Sequence, residues 1–205
     1  LTTELIDMSP KMVIALNMYD ELETSGAKFD HSSLGEMIGV PMIPIVAPSG
    51  RGLEELLDAI IAVHENRDAR VRHIHIGYGT VIEEMLEPLN ADMRLHCKEL
   101  VAHFPPRYFA LKLIEGDKEI ETLLETSPHK ERWIKMAAQA RAEIERALGE
   151  DIETALSNQK YGFISGALKE TYEAAERKRN TLSDKLDAIV THRIWGFPIF
   201  FGIMW

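Results

Sequence analysis

Two short, uninterrupted apolar runs constrain this chain more than anything else in it: Met12-Val-Ile-Ala-Leu16 and Pro41-Met-Ile-Pro-Ile-Val46. Neither alternates with polar residues, so neither suits a sheet with one wet face. Continuous runs of this length, rich in β-branched residues, are strands covered on both faces, as in a parallel sheet. Pro44 favours a place near a sheet edge. Parallel strands need a crossover, and the sequence between them supplies one. Asp30 or Ser32 can cap a short helix that runs through Ile38, with Gly39 as its stop. After the second run, Pro48-Ser-Gly-Arg-Gly52 reads as a loop. Leu53, Leu56, Leu57, Ile60 and Ile61 then fall on one helical face. Residues 1–8 read as the end of a helix, stopped by Pro10. Strand, helix, strand, helix predicts an α/β layer with right-handed crossovers over residues 1–70.

Residues 71–78 are a transition, either a short strand or an extended linker. From about Thr80 to near Val190 the periodicity is helical. Ile82, Leu86 and Leu89 fit one helix. Residues 107–114 and 118–124 read as short helices, 131–148 as a longer one stopped by Gly149, and 181–190 as the last. Breaks are expected at Pro105-Pro106, Gly116-Asp117, Ser127-Pro128 and Tyr161-Gly162. Residues 71–190 therefore read as an all-α helical domain of packed, short-looped helices.

Charge and cysteine usage narrow the function classes. A formal net charge of −10 argues against nucleic acid as the main partner, because phosphate binding needs a basic face. The single cysteine, Cys97, forms no internal disulfide and fits a reducing compartment. The chain begins without Met and without a signal-peptide pattern, and reads as a piece of a longer protein. At the other end, residues 194–205 read IWGFPIFFGIMW, with no charge. A membrane span needs about 20 such residues, so this run is too short to cross. It carries Trp195 near its start and follows Arg177, Lys178, Arg179, Lys185 and Arg193, the flank of a cytoplasmic membrane border. Residues 191–205 thus read as the start of a transmembrane segment; a buried C-terminal strand or tail is the alternative.

Chemistry concentrates at the strand ends, where open α/β sheets bind ligands. Asn17-Met18-Tyr19-Asp20 follows the first run directly. An Asn-x-x-Asp in that place is the guanine-reading motif of GTPases. Guanine presents its ring N1–H and 2-amino group side by side, and one carboxylate, that of Asp20, can accept both. The Asn17 amide both donates and accepts, so it can tie loops around the base. Asn and Asp after a strand are also ordinary turn residues. The next strand is followed by Ala47-Pro48-Ser49-Gly50, where GTPases carry a Ser-Ala-x-x-Gly type of loop whose backbone N–H groups meet the guanine carbonyl. Two such sites in the right order, at successive strand ends, are more specific than either alone.

The stretch from Val13 to Leu57 resembles the GTPase of the ferrous iron transport protein B family, which commonly has Met where most small GTPases have Lys, as at Met18. The resemblance continues through Tyr78-Gly79, Ile82-Glu83, the run from Pro105 to Leu113 with Glu115-Gly116-Asp117, and the run from Tyr161 to Gly166. It ends in the run from Thr191 to Phe200, which looks like the approach to the family's first membrane helix. It implies a partial P-loop GTPase-type parallel sheet followed by a helical spacer. Implied ligands are GTP or GDP at Asn17, Met18, Tyr19, Asp20, Ala47, Pro48 and Ser49, and Mg²⁺ held by residues upstream of Leu1. Further implied partners are the protein's own transmembrane domain, Fe²⁺ as the transported ion, and the membrane, with a homo-oligomer left open. The implied location is the cytoplasmic face of the bacterial inner membrane. GTP binding and hydrolysis would control iron uptake. The chain itself lacks a Gly-x-x-x-x-Gly-Lys-Ser/Thr loop and an Asp-x-x-Gly segment, so it holds the guanine-reading half of the site and is expected to be inactive alone. The alternatives are a piece of a soluble GTPase and a non-enzymatic helical interaction module.

Weaker candidates remain. His73 and His75, and His96, Cys97 and His103, are spaced without a convincing third or fourth metal ligand, so surface or packing roles are expected. Glu83-Glu84-x-x-Glu87 and Glu119-x-Glu121 read as solvated helix faces, and Arg177-Lys178-Arg179 as a solvated face or a contact with lipid headgroups.

Overall fold

The computed structural model describes residues 2–96, 104–174 and 196–205. The chain starts with α1 (Thr2–Met8), then β1 (Ile14–Leu16), α2 (Tyr19–Ser25), β2 (Lys28–Phe29), α3 (His31–Ile38) and β3 (Met42–Pro44). β1 and β3 pair in parallel, with Ile14 opposite Met42 and Leu16 opposite Pro44. The ladder continues past both ends, through Ile14 N–H to the Pro41 carbonyl (2.9 Å) and Ile45 N–H to the Leu16 carbonyl (2.9 Å). The Asp30 carboxylate caps α3 by accepting from the Ser33 N–H at 2.9 Å, and Gly39 ends the helix at φ 68°. The expected α/β crossover is therefore present.

A 3-10 turn at Ala47–Ser49 leads to α4 (Leu53–His64). Here the apolar stripe differs from expectation. The buried positions are Ala59 and Val63, with Leu56 packed beside Ile43, Ile45 and Val13, while Leu57, Ile60 and Ile61 are each 45% exposed or more. Periodicity identifies apolar positions; it does not say which of them a neighbour covers, and α4 carries more of them than β3 can shelter.

Residues 71–79 have no regular structure, so the extended-linker alternative is the one realised. They are anchored by Ile76 and Tyr78, both fully buried. The helices follow: α5 (Thr80–His96), α6 (Pro106–Glu115), α7 (Lys118–Leu123), α8 (Lys130–Leu148) and α9 (Ile152–Thr171). α5, α6 and α8 enclose Leu86, Leu89, Met93, Phe109, Ile114, Trp133 and Ile144, all nearly inaccessible. Burying one such aliphatic or Phe side chain stabilises the fold by roughly 1.5–3 kcal/mol relative to leaving it exposed.

α9 runs unbroken through Tyr161-Gly162. A helix-interior glycine is disfavoured by only about 1 kcal/mol relative to Ala, and the buried Ile152, Ala155, Leu156 and Thr171 hold this helix in place. The expected all-helical stretch is also interrupted by β4 (Tyr172–Glu173), which pairs antiparallel with β2, Lys28 opposite Glu173 and Phe29 opposite Tyr172. A two-residue strand carries no readable period.

Ile6, Ile38, Val40 and Met42 from the first region join the same apolar cluster as the helical residues. Polar links run alongside: Tyr78 hydroxyl to the Asp7 carboxylate, and Lys160 with Lys112 around Glu4. The last described element is α10 (Gly196–Met204), nine residues without a charge. Among the described residues, no helix is long and apolar enough to cross a membrane. The expected helix at 181–190, the basic cluster at Arg177, Lys178 and Arg179, and Trp195 lie outside the described residues.

Candidate nucleotide-base site

Parallel pairing of β1 and β3 brings the loops after them out at the same sheet edge. After Leu16 the backbone turns through Asn17 and Met18, the latter left-handed at φ 59°, ψ 34°, and α2 begins at Tyr19. Asp20 lies in the first turn of α2 and is exposed. After β3, Ile45 and Val46 stay buried and the chain tightens into Ala47-Pro48-Ser49.

Two hydrogen bonds join the loops directly. The Ala47 N–H donates to Asn17 Oδ1 at 3.2 Å, and the Tyr19 N–H donates to the Ile45 carbonyl at 3.2 Å. A third tie is the bidentate pair of Arg51 with Glu23, at 2.8 and 2.6 Å, between the second loop and α2. This hydrogen-bonded pairing holds the Glu23 carboxyl below its usual range and the Arg51 guanidinium above its own. Both side chains face solvent, so the pair orients more than it stabilises. The second loop closes through Val46 N–H to the Arg51 carbonyl at 3.0 Å. Gly52 is required there: its φ is 78°, and a Cβ would collide with the Pro44 carbonyl oxygen.

The motif residues face different ways. Met18 is 53% exposed. Tyr19 is half-buried; its hydroxyl donates to the Phe29 carbonyl at 3.3 Å and lies 3.1 Å from His31 Nδ1. Burial, then the charges of Glu23 and Asp30, push the Tyr19 hydroxyl's pKa up, so it stays a donor. The backbone donors of the second loop are engaged in holding it: Ala47 on Asn17, Ser49 on Val46 (3.1 Å) and Gly50 on Ala47 (3.3 Å), while Pro48 has none. A guanine carbonyl would therefore share the Ala47 N–H rather than find it free.

Arg51, Glu23, Phe29 and His31 had no sequence signal as parts of this site. Arg51 and Glu23 are 28 residues apart and meet only because β3 lies beside β1.

Elsewhere, His73 Nδ1 lies 2.8 Å from Ser9 Oγ, and the rings of His96 and His129 meet at a tilt of 54° with centroids 4.6 Å apart. Burial, with the positive charge of Arg107, lowers the pKa of His75. No cluster of three or more His, Cys, Asp or Glu suited to a metal occurs among the described residues, which exclude Cys97 and His103. Glu83 departs from the expected solvated face. It makes two 2.7 Å hydrogen bonds with Arg107 and accepts from the Tyr78 N–H at 3.0 Å. Burial pushes its carboxyl up, but these bonds and the Arg107 charge outweigh that and hold it below its usual range.

A strand-end Asn-x-x-Asp turn tied to the next strand's loop, followed by a helical domain, defines the class: part of a G-domain joined to a helical bundle. Residues 1–60 match the family described as "Ferrous iron transport protein B", and residues 78–173 the family described as "FeoB cytosolic helical domain". The chain belongs to the ferrous iron transport protein B family. It is 43% identical over 206 residues to the "Fe(2+) transport protein A/Fe(2+) transporter FeoB fusion protein" of Porphyromonas gingivalis, covering 100% of this chain and 24% of that protein. It is 27% identical to a "Fe(2+) transporter FeoB" of Staphylococcus aureus, covering 100% of this chain and 30% of that protein. The chain thus spans less than a third of the length of these relatives. In fold it is similar to a GDP-bound NFeoB variant of S. thermophilus (TM-score 0.70, 24% identity, 84% of this chain and 63% of that one). The cytosolic domain of T. maritima FeoB in its GMPPNP form is also similar (TM-score 0.63, 24% identity, 84% and 62%).

Proposed function

We propose that this chain reads the guanine base in the nucleotide-binding part of a bacterial Fe²⁺ transporter, and that its helical domain relays nucleotide state toward the membrane-embedded part. Nucleotide binding and hydrolysis would then control iron uptake at the cytoplasmic face of the inner membrane. The observation that carries this reading is the Asn17–Ala47 bridge at the shared end of β1 and β3, with Asp20 exposed beside it. In that arrangement the Asp20 carboxylate accepts from the guanine N1–H and 2-amino group, and Asn17 holds the second loop against the base. Met18 lies exposed between them as an apolar surface for the base. Sequence relatives named as Fe²⁺ transporters and fold neighbours in GDP and GMPPNP forms support it. The residues here hold the base; they offer no Gly-x-x-x-x-Gly-Lys-Ser/Thr loop for phosphates or Mg²⁺, so no hydrolytic step is assigned to them.

Asp20→Asn in the full-length protein tests the reading. An amide at this position opposes one guanine donor but matches the carbonyl that xanthine carries there. Losing a charge-assisted hydrogen bond and stranding a donor costs about 2–4 kcal/mol, roughly 30- to 1,000-fold in GTP affinity. Competition binding should show weaker GTP and stronger XTP binding. Unchanged GTP affinity with no gain for XTP would make Asp20 an ordinary turn residue.

A further inference from the structure

Tyr19 stands inside the Asn-x-x-Asp motif, and its part-buried hydroxyl reaches the end of β2 and the start of α3. Its partners are the Phe29 carbonyl (3.3 Å) and His31 Nδ1 (3.1 Å), and its ring meets His31 edge-on at 5.6 Å. Phe29 belongs to β2, whose only strand partner among the described residues is β4, directly after α9. The Phe29 ring packs edge-on against Tyr172 at 6.2 Å, and the Asp30 N–H donates to the Thr171 carbonyl at 2.8 Å. A continuous path of contacts therefore runs from the base-reading turn to the last turn of α9. In sequence the chain continues from there toward the uncharged run at 194–205.

We propose that Tyr19 is a positioning residue that couples the base site to the β2–β4 ladder, so that base occupancy and the pairing of residues 28–29 with 172–173 bias each other. The inference rests on the nucleotide reading above and gives its relay a physical route.

The chemistry on both ends suits such a role. Asp20 follows Tyr19 directly in the first turn of α2, so a shift of that turn on base binding would carry the Tyr19 ring with it. The hydroxyl stays protonated and needs an acceptor; the Phe29 carbonyl is one, and moving the ring pulls on β2. The ladder itself is short, two residues on each strand. Its Lys28–Glu173 ion pair is 3.0 Å long but largely in water, and such pairs contribute little. An element this weakly held opens and closes at small free-energy difference, so a modest bias from the base site is enough to shift it. Coupling of binding free energies is reciprocal, so a change forced on the ladder must return to the nucleotide.

The test uses the full-length protein in a background without other cysteines. Lys28→Cys with Glu173→Cys places thiols at facing positions of the ladder, within cross-strand disulfide reach. The readout is release of a fluorescent GDP by stopped flow, in the oxidised and reduced forms of the same protein. With Tyr19 present, closing the ladder should change the off-rate by about 5-fold or more, the low end of allosteric coupling. In Tyr19→Phe, which keeps the ring and loses the hydroxyl, the difference should fall below about 2-fold. Equal off-rates in the oxidised and reduced forms overturn the coupling. An undiminished difference in Tyr19→Phe overturns the role of Tyr19. Should the crosslink not form, amide hydrogen exchange replaces it. GDP should alter protection at residues 28–30 and 171–173 in the native protein and not in Tyr19→Phe, and any other pattern overturns the proposal. The two readings separate cleanly. An Asp20→Asn protein with native GTP affinity removes the base site and the coupling together, whereas a base switch with immobile off-rates removes the coupling alone.

Discussion

Single residues decide whether the second loop can take its shape. Gly50 and Gly52 both have left-handed backbones, at φ 76° and 78°. They differ in surroundings: a Cβ at Gly50 would meet nothing, whereas one at Gly52 would strike the Pro44 carbonyl at the end of β3. Gly50→Ala should therefore cost about 1 kcal/mol, the price of the dihedral alone. Gly52→Ala adds the displacement of a strand-end carbonyl and should cost about 2–3 kcal/mol in total. Urea unfolding of the 205-residue chain compares them; equal losses would mean that the contact with Pro44 is relieved without effect. The same clash moves the backbone that carries Ala47, so Gly52→Ala should also weaken guanine-nucleotide binding in the full-length protein, while Gly50→Ala should not.

At the scale of elements, caps and helix interiors respond in opposite directions. Asp117 caps α7 by accepting from the N–H groups of Glu119 (2.9 Å) and Ile120 (3.3 Å). Asp117→Ala leaves both donors without that acceptor and should destabilise the chain by about 0.5–2 kcal/mol. Gly162 sits inside α9, exposed, with open space where a Cβ would go. Gly162→Ala should stabilise by about 0.5–1 kcal/mol, because it restricts the unfolded chain and introduces no collision. Chemical denaturation measures both changes. A destabilising Gly162→Ala would mean that the helix is bent or contacted there in a way the open space does not indicate.

Across the molecule, the link between the first region and the helices has a pH dependence with a defined sign. Asp7 on α1 accepts from the Tyr78 hydroxyl beneath the helical domain. Burial is the largest influence on it and raises its pKa, against the opposing pull of that hydrogen bond and of Lys160. A carboxyl whose folded pKa is raised supplies stability that is present below its unfolded pKa, near 3.8, and lost as pH rises through the folded value. Asp7→Asn keeps an acceptor for Tyr78 and removes the charge. The variant should thus gain stability relative to the native chain as pH rises from 4 to 7, by urea unfolding at both values. Greater relative stability at the acidic end would mean that the carboxylate's partners outweigh its burial. Glu4 contributes with the opposite sign: burial raises its pKa, but Lys160 and Lys112 outweigh that and hold it below its usual value, so its stability is lost as pH falls.

Local patterns in the sequence were sufficient for the positions of β1, β3, the crossover helix, the glycine stops and most of the helices, because each depends on neighbours along the chain: continuous apolar runs, caps and turn residues; they did not foresee that β1 is only partly covered, with Ala15 exposed. The turn after β1 and the loop after β3 fall where turn residues follow each strand, for the same reason. Tertiary structure alone decided what depends on distant partners. It chose which face of α4 is covered, carried α9 through Gly162, and paired β2 with β4, whose strands lie some 145 positions apart at the Lys28–Glu173 bridge. It turned Glu83 from a solvent-facing acid into a partner of Arg107, and set the Tyr19 hydroxyl on the Phe29 carbonyl while Asp20 stayed exposed. A residue's type and spacing state what it can bond; only the packed chain, by setting which groups are desolvated together, states what it does bond.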